Sequence, residues 1–289
     1  MQTVTLISRP GGLSAPLVES LRNAWGGGDA VWLSPDEAAE FPVLRLADNF
    51  WQVWEDLQGE GVDLCAQTTG HRRRKLLIAD MDSTMIAQEC IDELADAAGV
   101  GDQVKEITAR AMNGELDFEG ALIERVALLE GLPETVIDDV LDSRITDAPG
   151  GVTLLSTMRA KGAFSLLVSG GFTAFAGPVA ERIGFDDHQA NELLAREGKL
   201  TGDVARPILG REAKVEALRT AARRHGIGPE DVLAVGDGAN DLGMLSVAGT
   251  GVAMHAKPAV QAECDLRINH GDLTSLLFLQ GYARSEFLG

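Results

Sequence analysis

Leu76-Leu77-Ile78-Ala79-Asp80-Met81-Asp82-Ser83-Thr84 begins with four apolar residues and then turns abruptly polar. That pattern reads as a short strand buried on both faces, with chemistry at its carboxyl end. Three more such runs follow: Phe164 to Val168, Val232 to Val235, and Gly251 to Met254. Helical patterns lie between them, with Gly162, Gly184 and Gly226 at expected C-caps. Alternating strands and helices imply a parallel sheet with helices on both faces.

Residues 86–147 break the alternation. Ile91, Leu94, Ala95 and Ala98 form one helical stripe ending at Gly99, and Leu122, Val126 and Leu129 form another. Pro149-Gly150-Gly151 then restarts the strand–helix order. The expected fold is therefore α/β: a Rossmann-like parallel sheet core over residues 76–85 and 148–289, with an inserted helical cap over 86–147. The weak alternation of Glu192 to Val204 around Arg196-Glu197-Gly198-Lys199 predicts a β-hairpin. Ahead of this core and cap (76–289), residues 1–70 read as a small α/β module, open to a regulatory role. It has a strand at Thr3 to Ile7, a helix at Leu13 to Trp25, and a strand at Ala30 to Leu33 after Gly26-Gly27-Gly28. His71-Arg72-Arg73-Arg74-Lys75 reads as an exposed, solvated junction rather than a nucleic-acid patch.

The chain has 289 residues, 45% of them hydrophobic, and a formal net charge of −19. So acidic a chain argues against nucleic acid or anionic membrane as a partner. No apolar run reaches the roughly 18 residues of a membrane helix, and no signal peptide is expected at the N-terminus. Cys65, Cys90 and Cys264 lie far apart without CxxC spacing, as expected of reduced thiols in a cytoplasmic protein. The five histidines show no metal-ligand spacing.

Four polar clusters follow the core strands. Asp80 and Asp82 place two carboxylates at one strand end, which is costly unless a cation or substrate uses them. A helix N-cap would account for one Asp, not the pair. Ser169-Gly170-Gly171 offers a hydroxyl and glycine N–H groups, a phosphate cradle at a helix start or an ordinary strand–helix turn. Lys214 follows on a helix, where a lone lysine is usually solvated. Gly236-Asp237-Gly238-Ala239-Asn240-Asp241 brings two more carboxylates to a strand end, with oxygen ligands suited to Mg²⁺. The alternating ligands and closing Glu of a calcium loop are missing.

In order, DxD, Ser, Lys and GDxxxD resemble the haloacid dehalogenase-like superfamily. The resemblance is closer still to the phosphoserine phosphatases. It rests on Asp80-Met81-Asp82-Ser83-Thr84, Glu89 nine residues after the first Asp, and Glu89-Cys90-Ile91-Asp92-Glu93. It also rests on Arg110-Ala111-Met112-Asn113-Gly114-Glu115-Leu116-Asp117-Phe118, Arg125-Val126, Ser169-Gly170-Gly171-Phe172-Thr173 and Gly236 to Leu242. It covers about residues 76–275, and departs from the pattern at Gly243, where a Pro is expected.

The resemblance implies hydrolysis of O-phosphoserine through an aspartyl-phosphate, the last step of serine biosynthesis. Asp80 would be the nucleophile and Asp82 the general acid and base. Mg²⁺ would be held by Asp80, the Asp82 carbonyl and Asp237. Ser169, Gly170 and Lys214 would bind phosphoryl oxygens, Asn240 phosphate or water, and Asp241 would orient Lys214 or a metal-bound water. Arg125 lies seven residues after Phe118, three after Leu122 and four before Leu129, on their helix face. The resemblance gives it the substrate carboxylate, gives Glu89 the ammonium, and makes Met112 and Phe118 the closure against water. Other readings stay open at this point: another small phosphomonoester such as phosphohomoserine or phosphoethanolamine, a phosphotransferase, or a non-catalytic amino-acid sensor. A homodimer is a possible assembly.

Overall fold

The computed structural model describes residues 1–112 and 115–289, with the Met112 side chain outside the described set. The chain divides into two compact units. One comprises Met1–Ile78, Pro149–Ser165 and Ala222–Gly289, the other Ala79–Ala148 and Leu166–Ala221.

The first unit opens with β1 (Gln2–Ser8), α1 (Ala15–Ala24), β2 (Val31–Ser34), β3 (Ala38–Val43), α2 (Phe50–Gln58) and β4 (Val62–Thr68). Ser14 caps α1 by accepting the Leu17 N–H at 3.3 Å. The four strands form a sheet in the order β2-β3-β1-β4, antiparallel at each pairing. Val4, Leu6, Phe41 and Leu64 point to one face, where Val18 of α1 and Phe50 and Leu57 of α2 cover them. On the other face, buried Asp63 of β4 accepts backbone N–H groups of Asn269 at 2.7 Å and Gly271 at 2.8 Å, and burial pushes its pKa up.

A parallel sheet runs in the order β12-β11-β10-β5-β6-β7. Its strands are β5 (Leu76–Ala79), β6 (Phe164–Phe172), β7 (Asp187–Asn191), β10 (Val232–Gly236), β11 (Thr250–Met254) and β12 (Leu266–Ile268). The Lys75 N–H donates to the Asp231 carbonyl at 2.8 Å, and the Phe164 N–H to the Lys75 carbonyl at 2.9 Å. β10, β5 and β6 therefore start side by side and end at one edge of the sheet. Helices α7 (Gly151–Ala160), α8 (Thr173–Ile183), α9 (Arg211–His225), α10 (Leu242–Val247), α11 (Pro258–Ala262) and α12 (Ser275–Leu279) connect or flank the strands. Gly162, Gly184 and Gly226 have φ of +83°, +103° and +64° after α7, α8 and α9, as expected of C-caps.

The stretch between β5 and α7 is helical: α3 (Cys90–Ala97), α4 (Gly101–Met112), α5 (Phe118–Ala127) and α6 (Val136–Ser143). Asp117 caps α5 by accepting the Gly120 N–H at 2.7 Å, and Arg110 ties α4 to α5 through Glu124 at 2.7 Å. The hairpin is present as β8 (Leu193–Arg196) and β9 (Lys199–Val204), with Arg196 opposite Lys199. Among the described residues, no helix is long and apolar enough to cross a membrane.

Two local expectations change. The strand from Phe164 does not stop at Val168. It runs on to Phe172, with its pairing to β7 shifted between Val168 and Phe172, because Asn191 holds the irregular stretch in place. Ser169-Gly170-Gly171 thus closes a strand, and the helix begins only at Thr173. The basic run is not simply solvated either. Arg72 grips Glu40 through two bonds of 2.7 and 2.8 Å, Arg73 pairs with Glu286, Lys75 with Asp231, and Arg74 bonds the Thr250 hydroxyl. Carboxylates of this acidic chain match Arg72, Arg73 and Lys75 locally, while Arg74 is held by a hydroxyl and by backbone carbonyls.

Candidate active site

β5 ends at Ala79, and Asp80 is the first residue beyond it, 5% exposed. Lys214 sits in the first turn of α9, 2% exposed, and its ammonium donates to the Asp80 carboxylate. Burial of a lysine is tolerated only with such a partner, so Asp80 and Lys214 are one electrostatic unit. Asp82 lies two residues on, half-buried, and accepts the Cys90 N–H at 3.3 Å. Burial first, and the nearby Glu89 charge second, push its pKa up to about 7.

The turn after Asp82 carries one left-handed residue. Ser83 adopts φ of +55°, a left-handed conformation that non-glycine residues seldom take. Its N–H bonds the Gln88 carbonyl at 3.2 Å, and its hydroxyl donates to Glu89 at 2.7 Å. Glu89 is the N-cap of α3 but makes no side-chain capping bond there, which leaves its carboxylate turned to Ser83. Arg125 lies half-buried in the last turn of α5. The charges of Asp92, Glu89 and Asp82 act on its guanidinium, while its Nε donates to the Ala121 carbonyl of its own helix at 3.2 Å.

Ser169 is 1% exposed and accepts the Gly171 N–H at 2.8 Å. A Cβ on Gly171 would lie 2.9 Å from Asp82, and one on Gly170 would lie 3.0 Å from the Phe118 ring. Glycine at both positions lets the end of β6 approach Asp82 and the first residue of α5. Phe118 therefore reaches Gly170 while remaining 36% exposed at its outer edge. Asp80, Asp82, Glu89, Phe118, Arg125, Ser169, Gly170 and Lys214 all belong to one compact unit. The expected contribution of the Met112 side chain falls outside the described residues.

Asp237, Asn240 and Asp241 belong to the other unit and follow β10, the sheet neighbour of β5. Asp237 is 9% and Asp241 0% exposed, and the Gly238 N–H donates to Asp241 at 3.0 Å. Asn240 is half-buried beside them.

Two residues beside the site were not singled out in the sequence. Asp92 lies within the quoted Glu89–Glu93 run but shows its bearing on Arg125 only in three dimensions. Asn191 ends a polar strand that apolar periodicity does not reveal; an amide at a strand's carboxyl end was the available clue.

A family model described as haloacid dehalogenase-like hydrolase matches residues 77–246. The chain is 44% identical over 229 residues to the phosphoserine phosphatase SerB2 of Mycobacterium tuberculosis, a stretch covering 78% of this chain and 56% of that one. It spans little more than half the length of the curated relatives it matches over the longest stretches. Among solved structures, a haloacid dehalogenase family hydrolase of Salmonella enterica serovar Typhi superposes with a TM-score of 0.87 at 31% identity, covering 96% of this chain and 98% of that one. A phosphoserine phosphatase captured as a phospho-aspartyl intermediate analogue superposes with a TM-score of 0.67 at 41% identity, covering 71% and 98%. With the motif carboxylates and serine standing at strand ends and the lysine at the start of α9, the chain belongs to the haloacid dehalogenase-like hydrolases, among the phosphoserine phosphatases.

Proposed function

We propose that this protein hydrolyses O-phosphoserine to serine and phosphate, using Asp80 as nucleophile. The observation that carries the reading is the buried Asp80–Lys214 pair with a high-pKa carboxyl, Asp82, two residues away. Asp80 attacks phosphorus and the seryl oxygen leaves, giving an aspartyl-phosphate. Asp82, whose raised pKa keeps it partly protonated near neutral pH, delivers its proton to the leaving oxygen. As a carboxylate it then takes a proton from the water that attacks the acyl phosphate, which frees Asp80 and regenerates the acid. Lys214, Ser169 and the Gly170 N–H bind phosphoryl oxygens, and the lysine charge offsets the charge brought by the ester.

A divalent cation fits the residues present. Asp80 and Asp237 are each buried carboxylates, hard-oxygen donors of the kind that suits a divalent cation and that is costly to bury unmatched. Asp80, the Asp82 carbonyl and Asp237 would hold Mg²⁺, with Asn240 and Asp241 supporting phosphate and lysine or water. When bound, the ion supplies charge neutralisation between the anionic nucleophile and the anionic ester.

Substrate choice is assigned to the cap. Arg125 takes the substrate carboxylate, Glu89 its ammonium, and Phe118 excludes water over Gly170. The three cysteines are buried free thiols, in keeping with a cytoplasmic enzyme that supplies serine. Phosphate release from a panel of monoesters tests the reading. O-phosphoserine should exceed phosphoethanolamine and p-nitrophenyl phosphate in kcat/KM, and a flat profile across the panel would overturn it.

A further inference from the structure

Asn191 closes β7, is 3% exposed, and has no part in the chemistry above. Its side-chain amide faces two ways. Nδ2 donates to the Gly170 carbonyl at 2.8 Å and, more weakly, to the Leu209 carbonyl at 3.4 Å. Oδ1 accepts the Leu209 N–H at 2.7 Å. Gly170 belongs to the end of β6 that carries Ser169. Leu209 precedes Gly210, whose carbonyl accepts the Lys214 N–H at 3.4 Å as α9 begins. One buried amide therefore spans the two segments that carry Ser169, Gly170 and Lys214. Leu209 is held through both its N–H and its C=O, as a strand neighbour would hold it, which fixes orientation as well as distance.

The chain leaving Asn191 enters the β8–β9 hairpin, and that hairpin is bonded to the segment after α5. The Gly131 N–H donates to the Leu200 carbonyl, the Leu200 N–H to the Leu132 carbonyl, and the Glu134 N–H to the Gly198 carbonyl, each at 2.9 Å. Asn191 thus stands where the support of the cap meets the phosphoryl-binding segments.

We propose that Asn191 is a positioning residue for phosphoryl transfer, setting the spacing between the Ser169–Gly170 turn and Lys214. The inference rests on the reading of those three residues as the phosphoryl site. Without the amide, the Gly170 carbonyl and both polar groups of Leu209 lose their partner, and the end of β6 and the start of α9 are free to drift apart. Misplacement by about 1 Å costs on the order of 10²-fold in rate. Every phosphate ester uses the same oxygens, so the loss falls equally on all of them. A buried amide with only a stabilising role would lower the melting temperature and leave the kinetics of the folded fraction unchanged.

The test compares full-length wild type with Asn191→Ala and Asn191→Ser, folding being checked by circular dichroism. Expected is a fall in kcat/KM of about 10²-fold for Ala and less for Ser, equal on O-phosphoserine and p-nitrophenyl phosphate. Inorganic phosphate should weaken in parallel as a competitive inhibitor. Folded variants within about three-fold of wild type on both substrates would overturn the proposal, as would a loss confined to O-phosphoserine. Failure of both variants to fold would make Asn191 a stability residue and also overturn it. A wild type inactive on O-phosphoserine but active on p-nitrophenyl phosphate would sink the substrate assignment alone. The p-nitrophenyl phosphate and inorganic phosphate arms would still judge Asn191.

Discussion

Asp80 and Arg125 are both charges that folding takes largely out of water, and the protein holds them in opposite ways. Asp80 is matched in advance by Lys214, and both are buried. The charges of Asp92, Glu89 and Asp82 act on Arg125, yet it forms no ion pair among the described residues, and burial pushes its pKa down. The role proposed for Asp80, attack on an anion, needs its electrostatics built before the substrate arrives. The role proposed for Arg125, gripping a carboxylate, needs the reverse, because a guanidinium already paired has little left to give. An incompletely matched buried charge costs stability, so its presence points to a ligand that completes it.

The largest effect expected breaks the first half of this comparison. Asp80→Asn should lower kcat on O-phosphoserine by roughly 10⁴-fold or more, because an amide oxygen is a far poorer nucleophile. The fold should survive, since the amide can still accept from Lys214. Single-turnover phosphate release checks this, and activity near wild type would move the nucleophile elsewhere. Chelation should reach almost as far. Excess chelator should abolish turnover and added Mg²⁺ restore it, while Ca²⁺ restores little, because it prefers more ligands at longer distances. Full activity in chelator would remove the cation from the scheme.

The second half is sharpened by changing the cap. Arg125→Ala should lose roughly 2–5 kcal/mol of transition-state stabilisation toward O-phosphoserine, the range for truncating one partner of a buried charge pair. Toward p-nitrophenyl phosphate, which has neither carboxylate nor ammonium, the loss should be much smaller. Glu89→Gln should behave alike and by a smaller amount, since Glu89 is exposed and shares its carboxylate with Ser83. Equal losses on both substrates would mean that Arg125 supports only the cap, and the substrate assignment would fall back to a generic phosphomonoester.

The strand ends were the legible part of this molecule. Leu76–Ala79 is a continuous apolar run with an abrupt polar stop, and a strand buried on both faces leaves that mark in any sequence. The Asp80 and Asp237 positions follow from it directly. The hairpin at Arg196–Lys199 was legible more faintly, from weak alternation about a local turn. What was not legible depends on partners distant in sequence. Arg72, Arg73, Arg74 and Lys75 look like a solvated run until Glu40, Glu286, Thr250 and Asp231 are seen beside them. The end of β6 looked like a helix start because nothing near Ser169 announces that Asn191 will hold it extended. The burial of Lys214 was invisible for the same reason: a lysine in a helix reads as solvent-facing until the strand end it meets is known.

Arg72 gives the comparison its third case and its smallest effect on catalysis. Its side chain is 12% and that of Glu40 15% exposed, nearly as enclosed as the Asp80 pair, but it joins the basic run to the N-terminal sheet, whose chemistry-bearing residues are few. A pair that serves stability alone should separate cleanly from one that serves turnover. Arg72→Ala strands Glu40 in a half-dry site, which costs about 2–4 kcal/mol, less than a fully buried pair would. The melting temperature should fall by roughly 5–10 °C. Replacing both partners with apolar residues, Arg72→Met with Glu40→Leu, should recover much of that loss, because no charge is then left unmatched. In each variant kcat/KM at 25 °C should stay within about two-fold of wild type, since no proposed phosphoryl or cap contact involves either residue. Calorimetry and steady-state phosphate release on the same preparations decide the matter. Should Arg72→Ala instead alter kcat/KM while melting like wild type, the N-terminal sheet would be in communication with the catalytic strand ends, and residues 1–70 would take on the regulatory role that their sequence left open.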